Sequence, residues 1–351
     1  MQCDCSALPA ELHPHEGRNC TCRQDRPSSP TNRLPVETTL ALACLVLAIA
    51  AGNRDGSQPA PSEQGNEPEA TSLFGKPLFA PVLSDDAKRR LEADLEAARK
   101  GAAANPTSVD AWIWVGRRLA YLGRYREAIA SFTEGLERFG RNAKLLRHRG
   151  HRYITVRRFD LAVKDLAEAA KLIGGTADEV EPDGVPNRLN TPISSLHSNV
   201  WYHLALAHYL TGDFDRALEA CQRGVSVSNN ADKLVSQSYW LVLTLRRLGK
   251  IEESNEVLAN FDDSLSLIEN EIYLKLLLHL KGSHDSALSA LEDAKGVDLA
   301  TLCYGIGMSE LLSGNRPSAV ERFKRAMTSE SWAAFGYIAA EAELKRLGET
   351  P

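Results

Sequence analysis

Small residues return along this chain at a nearly constant interval, and that recurrence limits the folds open to it more than any other feature. Ala128, Ala162, Ala217, Ser254, Ala287 and Ala319 follow one another at 34, 55, 37, 33 and 32 residues, so that apart from one insertion the period is close to 34. A fixed period of this length marks an architecture of stacked repeats. Other columns keep step with it. A turn column holds Gly123, Arg157, Gly212, Gly249, Gly282 and Gly314, where glycine suits the end of a helix. Two residues further on stand Tyr125, Phe159, Phe214, Ile251, His284 and Arg316, and a column of bulky residues or cysteine runs through Phe132, Leu166, Cys221, Leu258, Leu291 and Phe323. Earlier in each unit Trp112, Leu146 and Trp201 align, followed by the small Gly116, Gly150, Ala205 and Gly307. The physical reading is two antiparallel helices that approach closely because one carries Gly or Ala where the other inserts a large apolar side chain.

At these residues the sequence resembles the tetratricopeptide repeat family. The first copy matches the family pattern with Trp112, Gly116, Gly123, Tyr125, Ala128 and Phe132, the second with Gly150, Tyr153, Phe159, Ala162 and Ala169. The resemblance implies an all-α, right-handed superhelical solenoid of about six helix pairs, at about 109–141, 143–173, 198–229, 235–264, 268–297 and 300–329, within a domain of residues 73–351. Before the first pair, Ser84 caps an expected helix with Leu91, Leu95 and Ala98 on one face, and a closing helix is expected at 331–347. Leu73 to Leu83 is broken by prolines and reads as extended chain laid against the domain. Cys221 and Cys303 fall in core columns and read as small buried hydrophobes.

In this family a ligand groove lines the concave side with first-helix residues. The matching stripe here holds Arg117, then Lys144, Arg147 and His151, then Asn199 and Tyr202, then Tyr239 and Arg246. It offers a cationic end beside an aromatic middle, which suits an extended, acidic or C-terminal peptide segment. The same positions also bury against the next repeat, so packing remains the competing explanation. Where family members clamp a C-terminal carboxylate with Lys and Asn, Ile113 and Arg117 occupy the first two places, a departure from that pattern. The resemblance therefore implies a non-catalytic scaffold for a protein or peptide partner, without a cofactor.

Other features leave two readings of a different class open. Residues 174–198, the insertion between the second and third copies, are acidic first and punctuated by proline, which reads as a surface loop and would serve as the lid of an enzyme built on the solenoid. Cys3, Cys5, Cys20 and Cys22, with His13 and His15 between them, supply zinc-type ligands for a metal- or redox-responsive regulator, although C-x-C departs from zinc-site spacing. No G-x-S-x-G, Walker-type loop, G-x-G-x-x-G or H-E-x-x-H is present. The histidines of the repeats, His148 with His151 and His203 with His208, read as structural. A net charge of −5 is wrong for a protein that coats nucleic acid, and the basic stretch at residues 144–159 reads as a face with helical ion-pair partners.

The first third reads as a Cys-containing leader (1–37), an apolar run (38–51) and a linker (52–72). The run TTLALACLVLAIAA has the length of a signal-peptide core, short of the roughly 20 residues of a bilayer-spanning helix. It points to an exported or membrane-anchored protein, in a cell envelope if the source is bacterial, and to a cytoplasmic one if the run is not used.

Overall fold

The computed structural model describes residues 67–184, 187–283 and 285–351. The chain divides into two units, 1–40 and 41–351, and every described residue belongs to the second. The leader cysteines and the apolar run lie outside the described residues.

A short hairpin, β1 (Ala70–Thr71) and β2 (Pro77–Leu78), precedes fourteen helices among the described residues. These are α1 (Asp85–Ala104), then six pairs: α2 (Val109–Tyr121) with α3 (Tyr125–Phe139), α4 (Ala143–Thr155) with α5 (Phe159–Leu172), α6 (Leu196–Thr211) with α7 (Phe214–Ser226), α8 (Ala231–Arg247) with α9 (Ile251–Ala259), α10 (Glu271–Lys281) with α11 (Ser286–Glu292), and α12 (Gly296–Leu312) with α13 (Arg316–Ala326). The last is α14 (Phe335–Leu347). The architecture is an all-α helical repeat solenoid.

The small-against-large columns meet as pairs. A Cβ at Gly116 would overlap the Phe132 ring, one at Gly150 would stand 2.6 Å from Leu166 Cγ, and one at Gly307 would stand 2.8 Å from Phe323 Cε1. Hydrogen at these three positions lets the two helices of a pair touch. First helices also pack on one another from pair to pair, α2 on α4, α4 on α6, α6 on α8, α8 on α10 and α10 on α12, and so form the inner layer. Side chains cap several of these helices: Ser108 accepts from Ala111 N, Asn142 from Lys144 N and Leu145 N, and Asn230 from Lys233 N.

Two differences from the sequence reading concern the ends. Composition places residues 67–72 in the linker, yet Glu69 accepts a hydrogen bond from Arg126 N at 2.8 Å and Ala70 pairs with Leu78. Backbone pairing holds this segment, and composition does not report pairing. The closing helix differs more. α14 packs on α12 and α13 as the first helix of a further pair would, but it also reaches α6. All of residues 336–344 are buried, including Glu341 and Glu343, so no polar outer face remains.

Those glutamates are buried because arginines from distant repeats meet them. Arg157 Nη2 and Nε both lie 2.9 Å from Glu341 Oε2, with side-chain exposures of 2% and 0%, and Leu73 N donates to the other carboxylate oxygen at 2.6 Å. Glu343 pairs with Arg247 and Arg346, and Arg346 Nη2 donates to the Leu210 carbonyl at 3.2 Å. Arg157 fills the turn position that is glycine in the other five copies, at φ +64°. A side chain in that left-handed conformation costs about 1 kcal/mol or more. The guanidinium offsets the strain with Glu341, the Trp332 carbonyl at 2.9 Å and the Thr155 carbonyl.

Two stability predictions follow from these contacts. Gly150→Ala should lower the free energy of unfolding by about 1–3 kcal/mol through overpacking against Leu166, read by urea denaturation. Arg157→Gly relieves the backbone but orphans a buried carboxylate, so a net loss of about 2–4 kcal/mol is expected. Adding Glu341→Gln should shrink that loss in a double-mutant cycle; a stabilised Arg157→Gly would show that strain outweighs the ion pair.

Candidate functional site

The inner faces of α2, α4 and α6 carry the cationic end of the stripe, and the insertion lies on it. Its base is fixed by Ser195, whose hydroxyl donates to Asp178 Oδ2 at 2.6 Å and accepts from Lys233 Nζ at 2.8 Å, and by an antiparallel bridge between Val180 and Ser195. From that base Glu179 reaches Lys144, with Nζ to Oε2 at 2.8 Å, while Asp110 Oδ1 stands 3.0 Å from the same nitrogen. Burial works to lower Lys144, but its bonds to Glu179 and Asp110 hold its pKa above the usual lysine value. Glu181 meets Arg147 Nη2 at 2.7 Å, each side chain only 10% exposed, and also accepts from Asn199 Nδ2. Arg118 Nη1 donates to the Gly184 carbonyl at 3.3 Å, and Arg117 Nη2 donates to the Tyr121 hydroxyl at 3.2 Å. Burial raises the pKa of the nearby Asp183 carboxyl, with Arg117 opposing.

Beneath the carboxylates sit three imidazoles. His148 stacks on Phe132 at 5.6 Å between ring centres, and its Nδ1 is 2.8 Å from Arg147 Nη1. His151 and His203 lie 4.3 Å apart by ring centres, and both touch Phe335 from the start of α14. His203 Nδ1 is 2.6 Å from the Asn199 carbonyl, and His151 Nε2 is hydrogen-bonded to Arg152. A guanidinium has no acceptor to offer, so His148 and His151 each present a lone pair and must be neutral. Burial first, and then Arg147 and Arg152, lower all three pKa values well below that of a free histidine.

Arg117, Lys144, Arg147, His151 and Asn199 are thus brought together under the insertion. The aromatic middle of the stripe goes elsewhere. Tyr239, expected on the groove wall, is fully buried against Trp240, Tyr273 and Gly305, and offers no surface to a partner. Tyr202 is half-buried and bonded through its hydroxyl to Tyr273 and Trp240, at 3.0 Å each. Arg246 joins Ser254 Oγ at 3.0 Å to the Leu280 carbonyl at 2.8 Å, a tie between the fourth and fifth pairs. The physical reason is curvature: α14 and the inner helices of the later pairs meet in one apolar core, which leaves an open stripe no room there.

Glu179, Glu181 and Phe335 also belong to the site, beyond the residues the sequence points to, and His203, which the sequence gives a structural reading, lies beside them. For the glutamates a signal existed, an acidic insertion opposite a basic helix; for Phe335, 132 residues from His203, none did. The basic stretch at 144–159 is largely neutralised within the fold, since Arg149 forms a two-point pair with Asp165 at 2.6 and 2.9 Å and Arg147 and Arg157 are paired as described. Cys221 and Cys303 are buried free thiols, and burial pushes their pKa values up to about 12 and about 11. They stay protonated at neutral pH, which makes them poor nucleophiles. Among the described residues no group of three His, Cys, Asp or Glu could hold a metal ion, and no helix is long and apolar enough to cross a membrane.

The histidine cluster sets a pH dependence. In the unfolded chain these residues take up protons near pH 6.5, while the folded chain refuses them to a much lower pH. Stability should therefore be full above about pH 7 and fall as pH drops from about 6.5 towards the folded pKa values, at up to about 1.4 kcal/mol per pH unit per histidine. Urea melts across this range test it. His203→Gln should flatten the slope, and an unchanged slope would show that His203 already titrates normally in the folded chain.

Residues 198–230, spanning most of α6 and all of α7, match the tetratricopeptide repeat. No curated protein matches the chain significantly. Among solved structures it is similar to YrrB, described as a tetratricopeptide repeat protein with an unusual peptide-binding site, at 16% identity over 72% of this chain and 99% of that one, TM-score 0.39. It is also similar to a tetratricopeptide repeat protein from Parabacteroides merdae, at 14% identity over 72% and 93%, TM-score 0.43, and to MamA, at 15% identity over 57% and 89%, TM-score 0.38. These likenesses are remote. Residues 198–230 thus form a tetratricopeptide repeat, and five further helix pairs stack around it.

Proposed function

We propose that the protein is a non-catalytic scaffold that holds an extended acidic segment of a protein partner on the inner face of its first three repeats. One observation carries the reading: Lys144 and Arg147, on successive turns of α4, already bind carboxylates of an extended segment, those of Glu179 and Glu181. Arg117 and Asn199 flank them from α2 and α6. An arginine with a planar donor fork and a lysine with a mobile ammonium suit carboxylates. The same surface disfavours a basic segment, because Arg117, Arg147 and Arg152 crowd one another there and each added positive charge would meet repulsion. The apolar run at residues 38–51 supports export or membrane tethering of this scaffold.

The test is fluorescence anisotropy with labelled acidic, neutral and basic peptides of equal length against the full chain. Only the acidic peptides should bind, and binding should weaken as salt shortens the range of electrostatic attraction below its physiological value of about 8 Å. Lys144→Glu with Arg117→Glu should reduce affinity about tenfold or more, equivalent to roughly 1.4 kcal/mol. Equal binding of acidic and neutral peptides, or no effect of the double variant, would move the binding surface elsewhere.

A further inference from the structure

The way the insertion sits on α4 says more than that the surface is cationic. Around Val180 the backbone is extended, bridged to Ser195, with Glu181 N donating to the Ser194 carbonyl at 3.1 Å and Leu196 N to the Glu179 carbonyl at 2.9 Å. In extended chain, residues i and i+2 point to the same side about 6.5–7 Å apart. On a helix, residues i and i+3 are neighbours with Cβ atoms about 5–6 Å apart. Glu179 and Glu181 are an i, i+2 pair, and Lys144 and Arg147 an i, i+3 pair, so the two carboxylates match the two cations one to one. Val180, between them, faces away and is 64% exposed, the position a recognition segment leaves unread.

The contact is also incomplete. Arg147 is 8% exposed, and its Nε has no partner. A buried guanidinium that uses only part of its donor fork is set up for a ligand that engages more of it. Lys144 is shared between Glu179 and Asp110, and Glu179 itself is 47% exposed, so this end of the contact opens to solvent.

Resting on the acidic-segment reading above, we propose that Glu179-Val180-Glu181 is a built-in stand-in for the partner. The inner face of α4 reads an extended peptide with two acidic residues separated by one, and the insertion competes with that peptide for Lys144 and Arg147. A tethered competitor of this kind lowers the apparent affinity by the fraction of time it occupies the site. Partners are then selected by matching the spacing and making the Arg147 contact that the insertion leaves unmade.

The experiment uses the full chain and a labelled seven-residue peptide of the insertion's own sequence, ADEVEPD (residues 177–183). A second peptide, DEAVEDP, has the same composition but no two acidic residues separated by one. Wild-type protein is compared with Glu179→Gln/Glu181→Gln, folding being checked by circular dichroism. The variant should bind the first peptide about tenfold or more tighter than wild type does, and prefer it to the rearranged peptide by about fivefold or more. Lys144→Glu added to the variant should remove the preference. Equal binding by variant and wild type, or equal binding of the two peptides, overturns the proposal while leaving the acidic-segment scaffold standing. Absence of binding by any acidic peptide to either protein overturns both. Should the variant fail to fold, hydrogen exchange on wild type decides the matter. Saturating peptide should speed exchange at the Glu181 and Leu196 amides, which the insertion now protects, and unchanged exchange with the peptide bound would overturn the competition.

Discussion

The structure depends on the close approach of two helices at a residue with little or no side chain. Gly116 receives Phe132, Gly150 receives Leu166 and Gly307 receives Phe323, each at a separation that a methyl group would violate. Because the large partner sits on the second helix, the pair has one geometry and stacks on the next pair in one way. The stacking puts the first helices together in an inner layer. The small residues therefore decide which side chains of that layer stand together.

The layer curves until its end meets its beginning. α14 continues the stack beyond α12 and α13, yet its glutamates are buried against arginines of the second and fourth repeats. Buried ion pairs are rarely a large net source of stability, but an uncompensated buried charge is strongly destabilising. The pairing therefore specifies where α14 lies, and the strained backbone at Arg157 is tolerated because the guanidinium has four acceptor contacts within the core. The same closure turns the later part of the inner face into core: Tyr239 and Tyr304, each with almost no exposure, pack among the helices that elsewhere would border an open groove.

What stays polar is the first half of the layer. There Arg117, Lys144, Arg147 and Arg152 gather beside imidazoles held neutral, and Asp110 and the acidic insertion bring opposing charge to Lys144 and Arg147. A buried cation needs a carboxylate, and here the sequence of the loop provides it at the spacing the helix requires.

The sequence alone determined the repeat. The 34-residue interval, the glycine-rich turns and the small-large columns are local facts, repeated often enough that one irregular copy does not hide them. It also marked Lys144, Arg147 and His151 as sharing one face of a helix, which follows from helical periodicity; Asn199 joined them only through the columns of the family it resembles. Only the tertiary structure decided which part of the stripe is surface and which is core, since that depends on how far the stack curves, a sum of small rotations no single repeat encodes. It alone joined Arg157 to Glu341 across 184 residues and laid Glu181 on Arg147. Both are pairings between segments distant in sequence, and periodicity carries no information about which charge will meet which once the chain has closed on itself.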